Sequence, residues 1–87
     1  MGIWISKVFE DDTLVRLKVD GQVVGSWTSV LEEEVLKHRA EGRLVVLDFA
    51  AVYLVGPQAL EVLKRLKTDG VKIIDMHPLV EQLFEEV

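Results

Sequence analysis

Two carboxylates, Asp48 and Asp75, each follow an apolar run and stand where acid–base chemistry would be expected. If each closes a strand, both reach the carboxyl edge of a sheet, where α/β folds hold their ligands. A pair there can act as general acid and general base. The plainer reading has Asp48 capping the turn after it and Asp75 facing solvent. The sequence favours the plainer reading, because no wider set of residues argues for catalysis.

The other reactive side chains are fewer still. His38 stands between Lys37 and Arg39 on a helix face expected to be exposed. His77 lies in a strand-to-helix turn, where it would cap the helix or meet solvent. With no cysteine and no second histidine at ligand spacing, neither a zinc nor a copper site is expected. A nucleophile needs a hydroxyl or thiol beside a base. Ser6, Thr13, Ser26, Thr28, Ser29 and Thr68 all fall at turns, caps or edges, and none sits in a G-x-S-x-G elbow. No glycine-rich phosphate loop is present either, so the expectation is a non-catalytic chain without a cofactor. Trp27 and Tyr53 are of more interest. Both are large amphipathic side chains near helix entrances on one sheet edge, where they would anchor a partner. Trp27 would serve equally well as a staple closing the core.

The elements that position these residues follow from composition and pattern. The chain has 87 residues, 49% of them hydrophobic, enough for one domain spanning 1–87 and one core. Its formal net charge of −5 and its scattered basic residues disfavour nucleic acid. Apolar stretches such as 44–47 and 52–55 are far short of a membrane span. Residues 1–9 lack the pattern of a signal peptide, so a cytoplasmic location and no membrane insertion are expected.

Residues 3–9 read as a strand, and Glu10-Asp11-Asp12 as a turn. Thr13, Val15, Leu17 and Val19 then alternate with Leu14, Arg16, Lys18 and Asp20, giving the second, half-buried strand of a hairpin closed by Asp20-Gly21. Ser29 with Glu32 matches a capping box, with Ser26 as a competing cap. The helix would turn Leu31, Val35, Leu36 and Ala40 inward and stop at Gly42. Its glutamates, 32–34, would face solvent at the favourable end of the dipole. Residues 44–47 lack alternation and read as a strand covered on both faces. Pro57 suits the first position of a second helix, with Ala59, Leu63 and Leu66 inward and Leu60 and Val62 flanking. Residues 71–76 form the next strand. A last helix opening at His77-Pro78 would place Leu79, Val80, Leu83 and Phe84 inward and Glu81, Glu85 and Glu86 outward. The order β-β-α-β-α-β-α predicts an α/β fold with a mixed four-stranded sheet and about three helices.

From Thr13 to Phe84 the chain resembles the STAS domain of sulfate transporters and anti-sigma factor antagonists. The matching pieces are Gly21-Gln22-Val23, Leu31 and Val35, Val45-Val46-Leu47-Asp48, Val52, Gln58-Ala59-Leu60, and residues 73–76 with Pro78, Val80, Leu83 and Phe84. Their joint order and spacing carry the likeness, since no single motif is diagnostic. The resemblance implies a STAS-like fold, a signalling or regulatory role in bacteria, and a protein partner: an anti-sigma factor or kinase, or a transporter component.

The departures matter as much. Antagonists carry Gly-Glu-Leu-Asp where this chain has Gly21-Gln22-Val23-Val24, and Asp-Ser-x-Gly where it has Gly56-Pro57-Gln58-Ala59. Proline thus occupies the position of the phosphoacceptor serine. The second helix is about one turn short, and the family's terminal strand and helix are missing after Val87. A phosphate adds about −2 charge at a helix start, where unpaired N–H groups favour it. Pro57 has no hydroxyl to receive it. The resemblance therefore implies a docking surface at Val24, Ser26, Trp27, Tyr53, Val55, Gly56, Pro57 and Gln58 without that switch, on a monomer or weak homodimer. The alternative is a small-molecule or lipid-binding domain accessory to a transporter, because apolar residues replace the acidic ones.

Overall fold

The computed structural model describes residues 2–85. The elements are β1 (Ile3–Glu10), β2 (Leu14–Val23), α1 (Trp27–Ala40), β3 (Leu44–Val55), α2 (Pro57–Thr68), β4 (Lys72–Ile74) and α3 (Pro78–Glu85). The strands form one sheet in the order β1-β2-β3-β4. β1 and β2 are antiparallel, whereas β2–β3 and β3–β4 are parallel. The predicted α/β class, element order and mixed sheet are all found. Glu86 lies outside the described residues.

Period-two alternation sets which side of the sheet is covered. Val15, Leu17, Val19 and Val23 of β2 point the same way as Val45, Leu47 and Phe49 of β3. They join Leu31 and Val35 of α1, Ala59, Leu63 and Leu66 of α2, and Val80 of α3 in one core. Ile3, Ile5 and Ile73 pack against its margin. Leu44 and Val46 face the other way and keep contact with solvent, so β3 is covered on one face and not on both. Thr13 is exposed, ahead of the first inward residue of β2.

Several boundaries differ from expectation. β2 does not stop at Asp20-Gly21; Gly21 lies inside it, paired with Ile3 on one side and Val52 on the other. β4 is three residues rather than six, because Asp75 turns the chain with φ of 58°. In α3, Leu79 is exposed while Val80 is buried. His77 caps that helix, its Nδ1 accepting the Leu79 N–H at 3.1 Å. Among the described residues no helix is long and apolar enough to cross a membrane.

α1 carries the largest correction. It begins at Trp27 with Ser26 as N-cap, and no side chain caps it, so the Ser29–Glu32 box does not form. Its inward stripe is Thr28, Leu31, Val35 and His38, while Leu36 and Ala40 are exposed. His38 is only 4% exposed, the opposite of the expectation. Its Nε2 lies 3.3 Å from a Glu34 carboxylate oxygen, while its Nδ1 is buried without a hydrogen-bond partner, 3.7 Å from Glu41. The early start also moves residues 32–34 past the first turn, beyond most of the dipole's reach. Glu32 instead accepts a 2.7 Å hydrogen bond from Arg65 of α2, linking the two helices. Gly42 ends α1 as expected, with φ of 85°.

The β1–β2 turn is held by Asp11, whose carboxylate accepts the N–H groups of Thr13 at 2.9 Å and Leu14 at 2.8 Å. The Thr13 N–H, then the Leu14 N–H, hold the Asp11 carboxyl below its ordinary value of 3.8. A carboxylate with a depressed folded pKa stabilises the fold above its unfolded value, and that stability is lost as pH falls through the folded one. Asp11→Ala is thus expected to flatten the acid limb of the stability profile. Urea midpoints at neutral and acid pH check this, and equal acid losses in the variant and wild type would contradict it.

Candidate functional site

The parallel strands β2 and β3 end together, Val23 opposite Val55. Each then feeds a helix. After Val23 the chain turns through Gly25, with the Trp27 N–H donating to the Val24 carbonyl at 3.0 Å. After Val55 it passes straight through Gly56, the N-cap of α2, into Pro57 at the first helical turn. The Gly56 N–H donates to the Val23 carbonyl at 3.0 Å, so the two helix starts are tied side by side. Val24 packs over Gly56, its Cγ1 at 3.4 Å from where a Cβ would stand.

This geometry brings together Val24, Ser26, Trp27, Gly56, Pro57 and Gln58 at one edge of the molecule. Ser26, Pro57 and Gln58 are exposed there. Behind them, α1 and α2 enclose a polar groove of about 280 Å³, with Thr28, Ser29 and Glu32 on one wall and Gln58, Glu61 and Arg65 on the other. Val55 does not belong to this surface: it is 6% exposed and part of the core. It pairs with the buried Val23 of β2, and the register shift after Val52 brings it inward three residues on rather than two.

Trp27 is absent from the core cluster and packs instead against the start of the chain. Its indole lies on the backbone of Gly2, so close that a Cβ there would fall 2.2 Å from Trp27 Cε2. That contact fastens the start of β1. The ring is nevertheless 39% exposed, leaving an edge free for a partner. Tyr53 faces away from α2, on the uncovered side of the sheet. It is 67% exposed and its hydroxyl accepts a 3.0 Å hydrogen bond from Gln22 Nε2. Gly2 connects the two aromatics, since it touches Trp27 and also lines a groove with Trp4, Asp20 and Tyr53.

Trp4 was missed from sequence. At 71% it is the most exposed of the large apolar side chains. Its parity was legible, because Ile3 and Ile5 on either side of it turn toward the core.

Of the two carboxylates, Asp48 departs from the strand end expected of it, whereas Asp75 is exposed as the plainer reading has it. Asp48 lies mid-strand in β3, opposite Lys18 and Ile74, and β3 continues to Val55. Its carboxylate accepts the Ala50 N–H at 2.9 Å, a local bond of the kind foreseen in the plainer reading. Asp75 is exposed in the turn after β4. Among the described residues no cluster of histidine or carboxylate groups is arranged to hold a metal.

No protein-family model matches the chain, and no curated protein matches it either.

Proposed function

We propose that this chain is a non-catalytic interaction module on a STAS-like plan, docking a protein partner through its paired helix starts. The observation that carries the reading is the Gly56–Val23 hydrogen bond, which holds the exposed Ser26, Pro57 and Gln58 beside Trp27 on one rigid edge. Buried aromatic anchors ringed by polar contacts dominate most protein interfaces, and Trp27 with its polar neighbours fits that plan. Pro57 holds the helix start in place without offering a hydroxyl, so docking here proceeds without phosphorylation at that residue. The resemblance points to an anti-sigma factor, a kinase of that class or a transporter component as partner.

The test is a pull-down from the source cell with wild type, Pro57→Arg and Trp27→Ala. A specific partner should be lost from both variants, with affinity down about 30-fold if Trp27 is worth about 2 kcal/mol at the interface. Because Trp27 also rests on Gly2, circular dichroism must show that the variant is folded. If both variants keep every interaction, the proposal fails.

A further inference from the structure

Among the described residues no layer lies over the sheet's second face. β2, β3 and β4 run parallel beside the antiparallel β1, and wholly parallel sheets are covered on both faces. Here the buried residues of all three helices join a single cluster on the inner face. Strand pairing arranges the open face in rows. Phe9 lies beside Arg16, Ser6 beside Lys18, and Trp4 beside Asp20. Lys18 is in turn beside Asp48, and Arg16 beside Val46.

We infer that this face associates with a second copy of the chain. A two-fold axis in the interface, crossing the strands at the Lys18 row, exchanges the rows on either side of it. Arg16 then meets Asp20 of the second copy, and Phe9 meets Trp4 of the second copy. The rows flanking the axis are thus complementary in charge and apolar character, as a two-fold interface requires. On the axis Lys18 and Asp48 meet their own copies, with each like pair beside the opposite charge. Charge balance selects the same occupant. On this face Arg16, Lys18 and Lys72 stand against Asp20 and Asp48, near neutrality, while the whole chain carries −5. Among the described residues Arg16, Lys18, Asp20 and Lys72 form no ion pair within the chain, so their charges remain to be matched. Outside this face carboxylates predominate, and two copies meeting elsewhere would repel.

Sedimentation equilibrium on the full chain across a concentration series tests the inference. The expected result is a rise with concentration from 9.8 kDa toward twice that mass. Arg16→Asp should weaken association at least about tenfold by setting like charges opposite one another. Adding Asp20→Arg to it should restore the dimer, since the pair is then only exchanged. Trp4→Ala, a change at an exposed position, should weaken association as well. A wild-type chain that stays monomeric at about 1 mM, above any affinity such a face would need, overturns the inference. So does a dimer indifferent to Arg16→Asp and Trp4→Ala, or a folded double variant that does not reassociate.

Discussion

Replacing Phe49 with alanine is expected to remove about 3–5 kcal/mol of stability, the largest loss from any single truncation in this chain. Phe49 heads the fully buried side chains by volume and lies on the inner face of β3. Its ring is part of the cluster that all three helices share, so its removal opens a cavity that no one element can close. At about 0.05–0.15 kcal/mol per residue, the whole fold is worth roughly 4–13 kcal/mol. The variant should therefore be marginal or unfolded at physiological temperature. Urea titration should show a lower midpoint with an unchanged slope. Trp4→Ala, on the opposite face, should stay within about 0.5 kcal/mol of wild type in the monomer. A Phe49→Ala loss below about 1 kcal/mol would mean that the covered face has been misassigned.

Gly21→Ala is the second large effect, and its cause is backbone rather than core. Gly21 has φ of 108°, where an L side chain is strained by about 1–2 kcal/mol. A Cβ there would also lie 2.2 Å from the Gly2 carbonyl oxygen. That oxygen accepts the Gln22 N–H at 2.9 Å, tying the residue ahead of β1 to β2. Strain and collision act together, so the loss should exceed about 2 kcal/mol. Gly70 is the control. Its φ is 107°, but a Cβ there meets nothing within 4 Å. Gly70→Ala should cost the strain alone, and the difference between the two variants measures the collision. Amide exchange should quicken along β1 in Gly21→Ala and not in Gly70→Ala. Equal losses in both would remove the close approach from the account.

The sequence carried the fold further than the site, for reasons visible at particular residues. Alternation placed Val15, Leu17 and Val19 inward, and Pro57 marked the start of α2 before any coordinates. The run 44–47 was ambiguous because continuous apolar character fits a strand with two covered faces as well as one covered and one open. Only the placement of the helices decides that. Asp48 read as a strand end because aspartate is depleted in strands, yet on an open face it keeps its solvation and bonds the Ala50 N–H. His38 reads as exposed because it stands between the charged Lys37 and Arg39, yet the helix turns it inward. A partner four residues back, Glu34, meets its Nε2 there, and that spacing stood in the sequence unread. Of the eight residues read as one surface, six lie together at the helix starts, while Val55 turns into the core and Tyr53 lies on the other side of the sheet. The link between Trp27 and Gly2 was not, because it joins two elements that only tertiary packing brings together.

Site-specific crosslinking tests the central proposal most directly. A photoreactive amino acid at Gln58, exposed beside Pro57, should capture one discrete partner in the source cell. The same group at Leu36, exposed on α1 away from the helix starts, should not capture it. Adding Pro57→Arg to the Gln58 probe should abolish the adduct. An adduct formed equally from Leu36, or one that survives Pro57→Arg and Trp27→Ala alike, would contradict docking through the paired helix starts.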